Sequence, residues 1–247
     1  MFQPKRQPLL ESPKPKRAGI IPLAHMATIT SLLVAVSAPA LAETPTPTPT
    51  PSPSITAGFD FDSATSAQVV VNKNRPLNPL TYKPVIDKWL PLAIPAAGAY
   101  RSLKKGMAAA GAGTLCLNSG YRSFATQTNT YNTDVARYGK KVAENLAAHP
   151  GYSEHQTGLA ADVSTTALGC RITNFGGTKA SNFIAANAYK YGFIVRYPSG
   201  QTSYTGYQYE PWHIRFVGID VATAMHDQKI IVLEKFFGLP AAPSYLN

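Results

Sequence analysis

The chain has 247 residues, 45% of them hydrophobic and 10% aromatic, which is enough for the core of one ordinary domain. Residues 1–42 contain five of the 23 Lys and Arg residues and one of the 13 acidic residues, so the net charge of +10 falls to +6 for the remainder. The excess is scattered and no basic stripe alternates with aromatic residues, which argues against nucleic-acid binding. A modest positive charge suits polyanionic surroundings or simply solubility.

The N-terminal segment has the pattern of an export signal. Basic residues up to Arg17 precede a mostly apolar stretch that ends in Ala40-Leu41-Ala42. This order predicts a secretory signal peptide over residues 1–42, cleaved after Ala42. An uncleaved membrane anchor is the alternative, because the apolar run approaches the ~20 residues that span a bilayer. We therefore expect an extracytoplasmic protein, bound to a membrane only if the leader is retained.

A Pro/Thr-rich segment follows the leader. It begins "ETPTPTPTPSPS" and covers residues 43–55. Proline fixes φ and removes a backbone donor, so this segment predicts an extended linker. The folded domain is then residues 56–247, which is the size of one domain. The sequence leaves its oligomeric state open.

Helices and strands alternate along the folded part. Helical spacing of apolar residues predicts a first helix, and Ser123 and Gly139 have the residue types that begin and end a second. In chain order we predict a helix over 95–113, a strand over 114–121, helices over 123–139 and 141–149, a strand over 159–165, a helix over 181–192, strands over 193–198 and 212–218, and a tail over 220–238 that is helical at first. Because most strands fall late, the pattern predicts an α+β fold with a small, mainly antiparallel sheet and flanking helices.

Cys116 and Cys170 are the two cysteines of the chain. An even number of cysteines in an exported protein predicts a disulfide. The alternative is a catalytic thiol, but neither cysteine opens an obvious helix near a base.

Two segments carry a possible metal site. "GYSEHQTGLAAD" contains His155 and Asp162, and "TGYQYEPWHIRFVG" contains His213 and, three residues earlier, Glu210. Two histidines and a carboxylate are a typical zinc set that leaves a position for water. Zinc lowers the pKa of that water, and Glu210 is offset from the ligands and could serve as the base. Spacing alone does not exclude the other histidines of the folded part, which are His149 and His226.

Three motifs resemble a known family. "SGYRS" (119–123), "GYSEHQTGLAAD" and "YEPWHIRFVG" occur in the order found in VanY-type D-alanyl-D-alanine carboxypeptidases. This family belongs to a superfamily with lysostaphin-like peptidases and the hedgehog signalling domain. The likeness runs from about Asn72 to the "LEKFFG" tail, so the resemblance implies a hedgehog/D-Ala-D-Ala peptidase-like fold for nearly the whole folded part.

The resemblance also implies roles for individual residues. His155, Asp162 and His213 match the family's zinc ligands, and Glu210 matches its catalytic base. Arg122 matches the arginine that holds the substrate and stabilises charge on the scissile carbonyl, a role that suits a bidentate, permanently charged guanidinium.

Further expectations follow from the same resemblance. Ser153 and Gln127 correspond to substrate-contacting positions in some members. The implied function is an exported zinc carboxypeptidase that removes the terminal D-Ala from peptidoglycan stem peptides. An L,D-carboxypeptidase, a cross-link endopeptidase and a non-catalytic wall-binding module are the alternatives. The presence of Glu210 argues against the last of these.

Overall fold

The computed structural model describes residues 58–246. The predicted signal peptide, residues 1–42, and the predicted linker, residues 43–55, lie outside the described residues. The predicted domain, residues 56–247, is described except at its extreme ends. No helix in the described part of the chain has both the length and the apolar character needed to cross a membrane.

A four-stranded antiparallel sheet forms the centre of the fold, with the strands in the order β1-β2-β4-β3. The strands are β1 (Leu115–Ser119), β2 (Ala160–Thr165), β3 (Phe193–Tyr197) and β4 (Glu210–Phe216). The two central strands, β2 and β4, come from the two segments that carry the predicted metal site. The predicted α+β class, with a small antiparallel sheet and flanking helices, is confirmed.

Seven α-helices of the described residues surround this sheet. They are α1 (Ile94–Ala109), α2 (Phe124–Tyr138), α3 (Lys140–Leu146), α4 (Lys179–Asn187), α5 (Thr202–Thr205), α6 (Ile219–Asp227) and α7 (Leu233–Phe236). The helix predicted over 181–192 ends earlier, because its last turn, Ala188–Tyr191, is a 3-10 helix. The sequence did not predict α5 or the 3-10 segment Glu154–Thr157, which are each a single short turn.

The local signals around α2 act as expected. The Ser123 hydroxyl accepts a hydrogen bond from the backbone N–H of Thr126 at 3.1 Å, which caps the helix. Gly139 ends the helix at a φ of 79°, a conformation that glycine adopts without strain. Arg122, one of the predicted site residues, therefore lies immediately before a well-defined helix start.

Alternation along the strands gives the sheet two different faces. Residues of one face join the main hydrophobic core; they include Ala161, Val163, Ile214 and Phe216. Leu103 and Met107 of α1 and Ile184 of α4 belong to the same core. The opposite side chains of the same strands include Asp162, His213, Arg215 and Arg196, all buried. Because successive residues of a strand point to opposite faces, the apolar face anchors the sheet and the other face carries charged groups.

A disulfide joins Cys116 in β1 to Cys170, with the Cα atoms 5.7 Å apart. Cys170 follows the 3-10 segment Thr166–Leu168 at the end of β2. The bridge ties this connection to the edge strand of the sheet, and both sulfur atoms are used in it. The arrangement therefore leaves no described thiol for the alternative of a catalytic cysteine.

Candidate active site

Strand pairing brings two of the predicted ligands together. Asp162 on β2 is the direct register partner of His213 on β4, although 51 residues separate them in sequence. His155 lies in the 3-10 turn Glu154–Thr157, which leads into β2. The turn returns His155 to the same face of the sheet, where its ring centroid lies 5.0 Å from that of His213.

The backbone conformation and the close contacts of Gly158 explain why a small residue follows this turn. Gly158 has a φ of 69°, and a Cβ at this position would lie 2.9 Å from the backbone nitrogen of Ala93. The Gly158 carbonyl accepts a hydrogen bond from that nitrogen at 2.8 Å. The close contact of Gly158 is therefore with the residue that precedes α1.

The three side chains form a compact group of donor atoms. His155 Nε2 lies 3.2 Å from Asp162 Oδ2, and His213 Nδ1 lies 3.1 Å from Asp162 Oδ1. One candidate ligand atom from each residue lies within 4.8 Å of the others. All three residues are buried, with 4%, 8% and 4% of their surfaces exposed in sequence order.

The chemistry of this donor set fits Zn²⁺. Zinc prefers imidazole nitrogen and carboxylate oxygen, and a catalytic site typically has three protein ligands with one position left open. His155 Nδ1 donates to the carbonyl of Gly120 at 2.7 Å, so its Nε2 is the atom left for a metal. Burial alone would raise the pKa of Asp162, but the two histidines hold it well below the usual value, so this carboxyl is ionised.

Glu210 lies beside the donor group. It begins β4, and its Oε2 is 3.7 Å from His213 Nδ1. Its side chain keeps 20% of its surface exposed. Burial raises the pKa of Glu210 to about 7, against the opposing effect of His213. A carboxyl with a pKa near neutrality can both accept and donate a proton.

Arg122 also lies beside Asp162. Its Nη2 is 3.7 Å from Asp162 Oδ2, and its backbone N–H donates to the His155 carbonyl at 3.1 Å. Nη1 donates to Gln127 Oε1 at 2.9 Å, and the Gln127 amide donates in turn to the Ala148 carbonyl at 2.7 Å. Gln127 is almost fully buried, with both ends of its amide bonded inside the protein. The structure therefore places Gln127 behind Arg122, in contact with its guanidinium.

A cleft of about 520 Å³ opens over these groups. Arg122, Glu210 and all three candidate ligands line it, and so does Ser153, which is 4% exposed. The cleft continues along α2 and α3, where Thr130, Asp134 and Leu146 line it. A cleft of this kind can admit an extended peptide end, with the donor group at its floor.

The remaining histidines of the folded part lie elsewhere. The His149 ring stacks on Tyr245, and the His226 ring stacks on Tyr189 in a second cavity that β3 residues also line. Trp212 packs partly against the main core and lines the cleft, and Tyr207 is buried in its wall. Position along the sequence could not separate these histidines from His155 and His213, but the fold does.

Sequence reasoning missed two residues of the site. Tyr197, at the end of β3, has its ring centroid 4.8 Å from that of His213 and lines the cleft. Glu154 has Oε2 3.4 Å from His213 Nε2 and is fully buried. A charged residue within an otherwise apolar strand, as at Arg196 and Arg215, was the available signal that a buried carboxylate must lie opposite.

Comparison with known proteins shows that the chain is similar to carboxypeptidases. Residues 91–219 match the family model described as VanY, D-alanyl-D-alanine carboxypeptidase. The putative carboxypeptidase YodJ of Bacillus subtilis (strain 168) is 43% identical over 120 residues, which are 48% of this chain and 44% of that protein. This chain thus matches less than half the length of that relative.

Two solved structures show the same fold. The LD-carboxypeptidase LdcB is 34% identical with a TM-score of 0.64, and the match covers 71% of this chain and 87% of that one. A variant of the vancomycin-resistance D,D-pentapeptidase VanY, in complex with Zn(II), is 30% identical with a TM-score of 0.60. That match covers 70% of this chain and 98% of the other.

These matches define the class as metal-dependent peptidases of the D-Ala-D-Ala type. The chain belongs to the VanY family of D-alanyl-D-alanine carboxypeptidases, which confirms the resemblance drawn from its three motifs.

Proposed function

We propose that this chain is an exported, zinc-dependent D-alanyl-D-alanine carboxypeptidase that removes the terminal D-Ala from peptidoglycan stem peptides. The observation that carries the proposal is the buried group of His155, Asp162 and His213, whose donor atoms lie within 4.8 Å of one another beside Glu210. Family membership supports the same reaction.

In this proposal His155, Asp162 and His213 hold one Zn²⁺. The ion supplies Lewis acidity, which polarises the scissile carbonyl and makes water a stronger nucleophile. Glu210 accepts a proton from the attacking water as the new C–O bond forms. It then delivers that proton to the nitrogen of the departing D-Ala as the C–N bond breaks. Burial of its side chain raises the pKa of Glu210, which favours proton acceptance from water.

Arg122 binds the substrate and stabilises negative charge on the scissile carbonyl. Its position 3.7 Å from Asp162 supports this role, because it directs the guanidinium towards the donor group. Gln127 fixes Arg122 through Nη1, so we propose that it affects the substrate by orienting this arginine. Ser153 lines the cleft and is proposed to contact the substrate.

The proposed location is outside the cytoplasm. Residues 1–42 act as the export signal, or as an anchor if they are retained, and residues 43–55 act as the linker to the domain at 56–247. The support is the order of basic, apolar and small residues, together with a wall substrate. The proposed partner is the stem peptide, and no nucleic acid is expected.

The test is release of D-Ala from a synthetic stem pentapeptide by the full chain. We expect release with zinc, loss of release with a chelator and recovery when zinc is returned. A zinc-loaded protein that leaves the pentapeptide intact would contradict the proposal. An alkylating reagent that stops release while chelators do not would point to a thiol enzyme.

An L,D-carboxypeptidase is the second candidate, because LdcB, named as an LD-carboxypeptidase, is among the structural neighbours. The same assay with a tetrapeptide separates the two. Loss of the last residue from the tetrapeptide, with the pentapeptide intact, would replace the D,D assignment. Cleavage within a cross-linked dimer would indicate an endopeptidase.

A further inference from the structure

The second ring nitrogen of His213 faces a buried carboxylate. His213 Nδ1 points to the donor group, 3.1 Å from Asp162, and its Nε2 points to Glu154 Oε2 at 3.4 Å. The Glu154 side chain has no exposed surface. It precedes His155 directly in the sequence, so one short turn contributes both a candidate ligand and a contact to the other histidine.

Two buried arginines hold Glu154 by its other oxygen. Arg196 Nε and Arg215 Nη1 each donate to Glu154 Oε1 at 2.7 Å, which leaves Oε2 directed at His213. Both arginine side chains are fully buried. A buried carboxylate is costly unless it is paired and hydrogen-bonded, and these two contacts meet that need.

A second carboxylate completes the charge balance without touching the site. Glu234 accepts hydrogen bonds from both terminal nitrogens of Arg196, at 2.6 and 2.9 Å, and from the Asn72 amide at 3.0 Å. Glu154 and Glu234 therefore belong to one buried network. They differ in that Glu154 contacts His213.

We propose that Glu154 is a positioning residue of the metal centre: it accepts the Nε2 hydrogen of His213 and thereby directs the Nδ1 lone pair towards Asp162 and His155. The inference rests on the proposed metal site. A neutral imidazole has one hydrogen, and the bond made by one nitrogen decides that the other is the metal ligand. The Gly120 carbonyl does the same for His155 through Nδ1.

The two histidines thus present opposite nitrogens to one point, Nε2 from His155 and Nδ1 from His213. Partners of this kind, which bond the far nitrogen of a ligating histidine, orient the ring and raise its basicity. The arginine pair contributes through Glu154, because it fixes which carboxylate oxygen is available to His213.

The experiment compares Glu154→Gln with Glu234→Gln in the full chain. Each variant removes one negative charge from the same network, so both should lose stability. In Glu154→Gln one terminal atom becomes an NH₂ donor, so the side chain cannot accept from both arginines and from His213 together. We measure zinc affinity by competition with a chelator, and the melting temperature of the metal-free proteins.

We expect Glu154→Gln to bind zinc roughly 10- to 100-fold more weakly, which is the usual effect of removing such a partner. Glu234→Gln should bind zinc as the unchanged protein does, despite a lower melting temperature. The inference is overturned if both variants bind zinc equally well, or if both weaken alike.

A second measurement holds even if Glu154→Gln does not fold. Nitrogen NMR of the histidine rings in the unchanged, zinc-loaded protein should show the His213 hydrogen on Nε2; a hydrogen on Nδ1 would overturn the inference. Neither measurement uses a peptide. A protein that binds zinc but cleaves no pentapeptide would contradict the proposed function and leave this inference standing.

Discussion

Two groups of charged side chains lie on the same face of the sheet and are neutralised in different ways. The group of Glu154, Glu234, Arg196 and Arg215 is closed, because each carboxylate meets an arginine and every member is 0% exposed. The group of His155, Asp162, His213, Glu210 and Arg122 is open to the cleft. His213 connects the two groups, because it contacts Asp162 of its own open group and Glu154 of the closed group.

The difference shows what each group can do. Buried charges that pair with one another hold their side chains in place, and these side chains are not free to bind a ligand. Charges that converge on a cleft with incomplete neutralisation keep perturbed pKa values, as at Glu210, and such values mark functional sites. We expect changes to the open group to affect the reaction and changes to the closed group to affect stability, with Glu154 also affecting zinc binding through its contact with His213.

The largest effect is expected for Glu210→Gln. The substitution keeps the shape of the side chain and removes its ability to accept a proton. We expect the rate of D-Ala release to fall by about 10²- to 10⁴-fold. Zinc content and the free energy of unfolding should stay as in the unchanged protein. Hydrolysis at the normal rate would show that Glu210 is not the base.

The closed group is tested most strongly by Arg215→Met. The change leaves Glu154 buried with one partner fewer, and breaking a buried pair typically lowers the free energy of unfolding by about 3–5 kcal/mol. Urea unfolding measures the loss. Arg137→Met is the matched control, because Arg137 is exposed near the end of α2. Equal stability of the two variants would mean that the buried network contributes nothing.

The disulfide between Cys116 and Cys170 belongs to neither group of charged side chains. It links positions 54 residues apart and holds the connection whose next residues include Ile172 in the cleft wall. The double substitution Cys116→Ser and Cys170→Ser should lower the free energy of unfolding by about 2–4 kcal/mol. Mass analysis without reductant, if it found two free thiols in the unchanged exported protein, would show that the bridge does not form.

The smallest effect is expected for Ser123→Ala. It removes the cap of α2 beside Arg122 and should cost about 1 kcal/mol of unfolding free energy. Thermal or urea unfolding measures this loss. The Arg122 guanidinium keeps its hydrogen bonds to Gln127 and Ser119 in this variant, so D-Ala release should change little. A collapse of activity with intact stability would assign Ser123 to the reaction.

The sequence predicted much of the fold because its local signals were strong. Ser123 and Gly139 bound α2 as expected, and strands were predicted around both Asp162 and His213. Choosing His155 and His213 over His149 and His226 needed the family motifs. The reason is physical: ring positions depend on which strands pair, and β2 and β4 are far apart in sequence.

The buried network was not predicted for the same reason. Glu154 meets Arg196 and Arg215 across 42 and 61 residues, and nothing local indicates which charges will find each other inside the protein. Gln127 illustrates a smaller gap. The family resemblance implied that Gln127 contacts the substrate, but this side chain is buried against Arg122 and Ala148.

The most direct test of the proposed metal site is the zinc stoichiometry of the purified full chain, after saturation with zinc and dialysis, compared with that of His155→Ala and His213→Ala. We predict one tightly bound zinc ion per chain in the unchanged protein, and loss of tight binding in both variants. A chain that retains no metal, or variants that retain it fully, would contradict the claim that these two imidazoles and Asp162 hold a single ion.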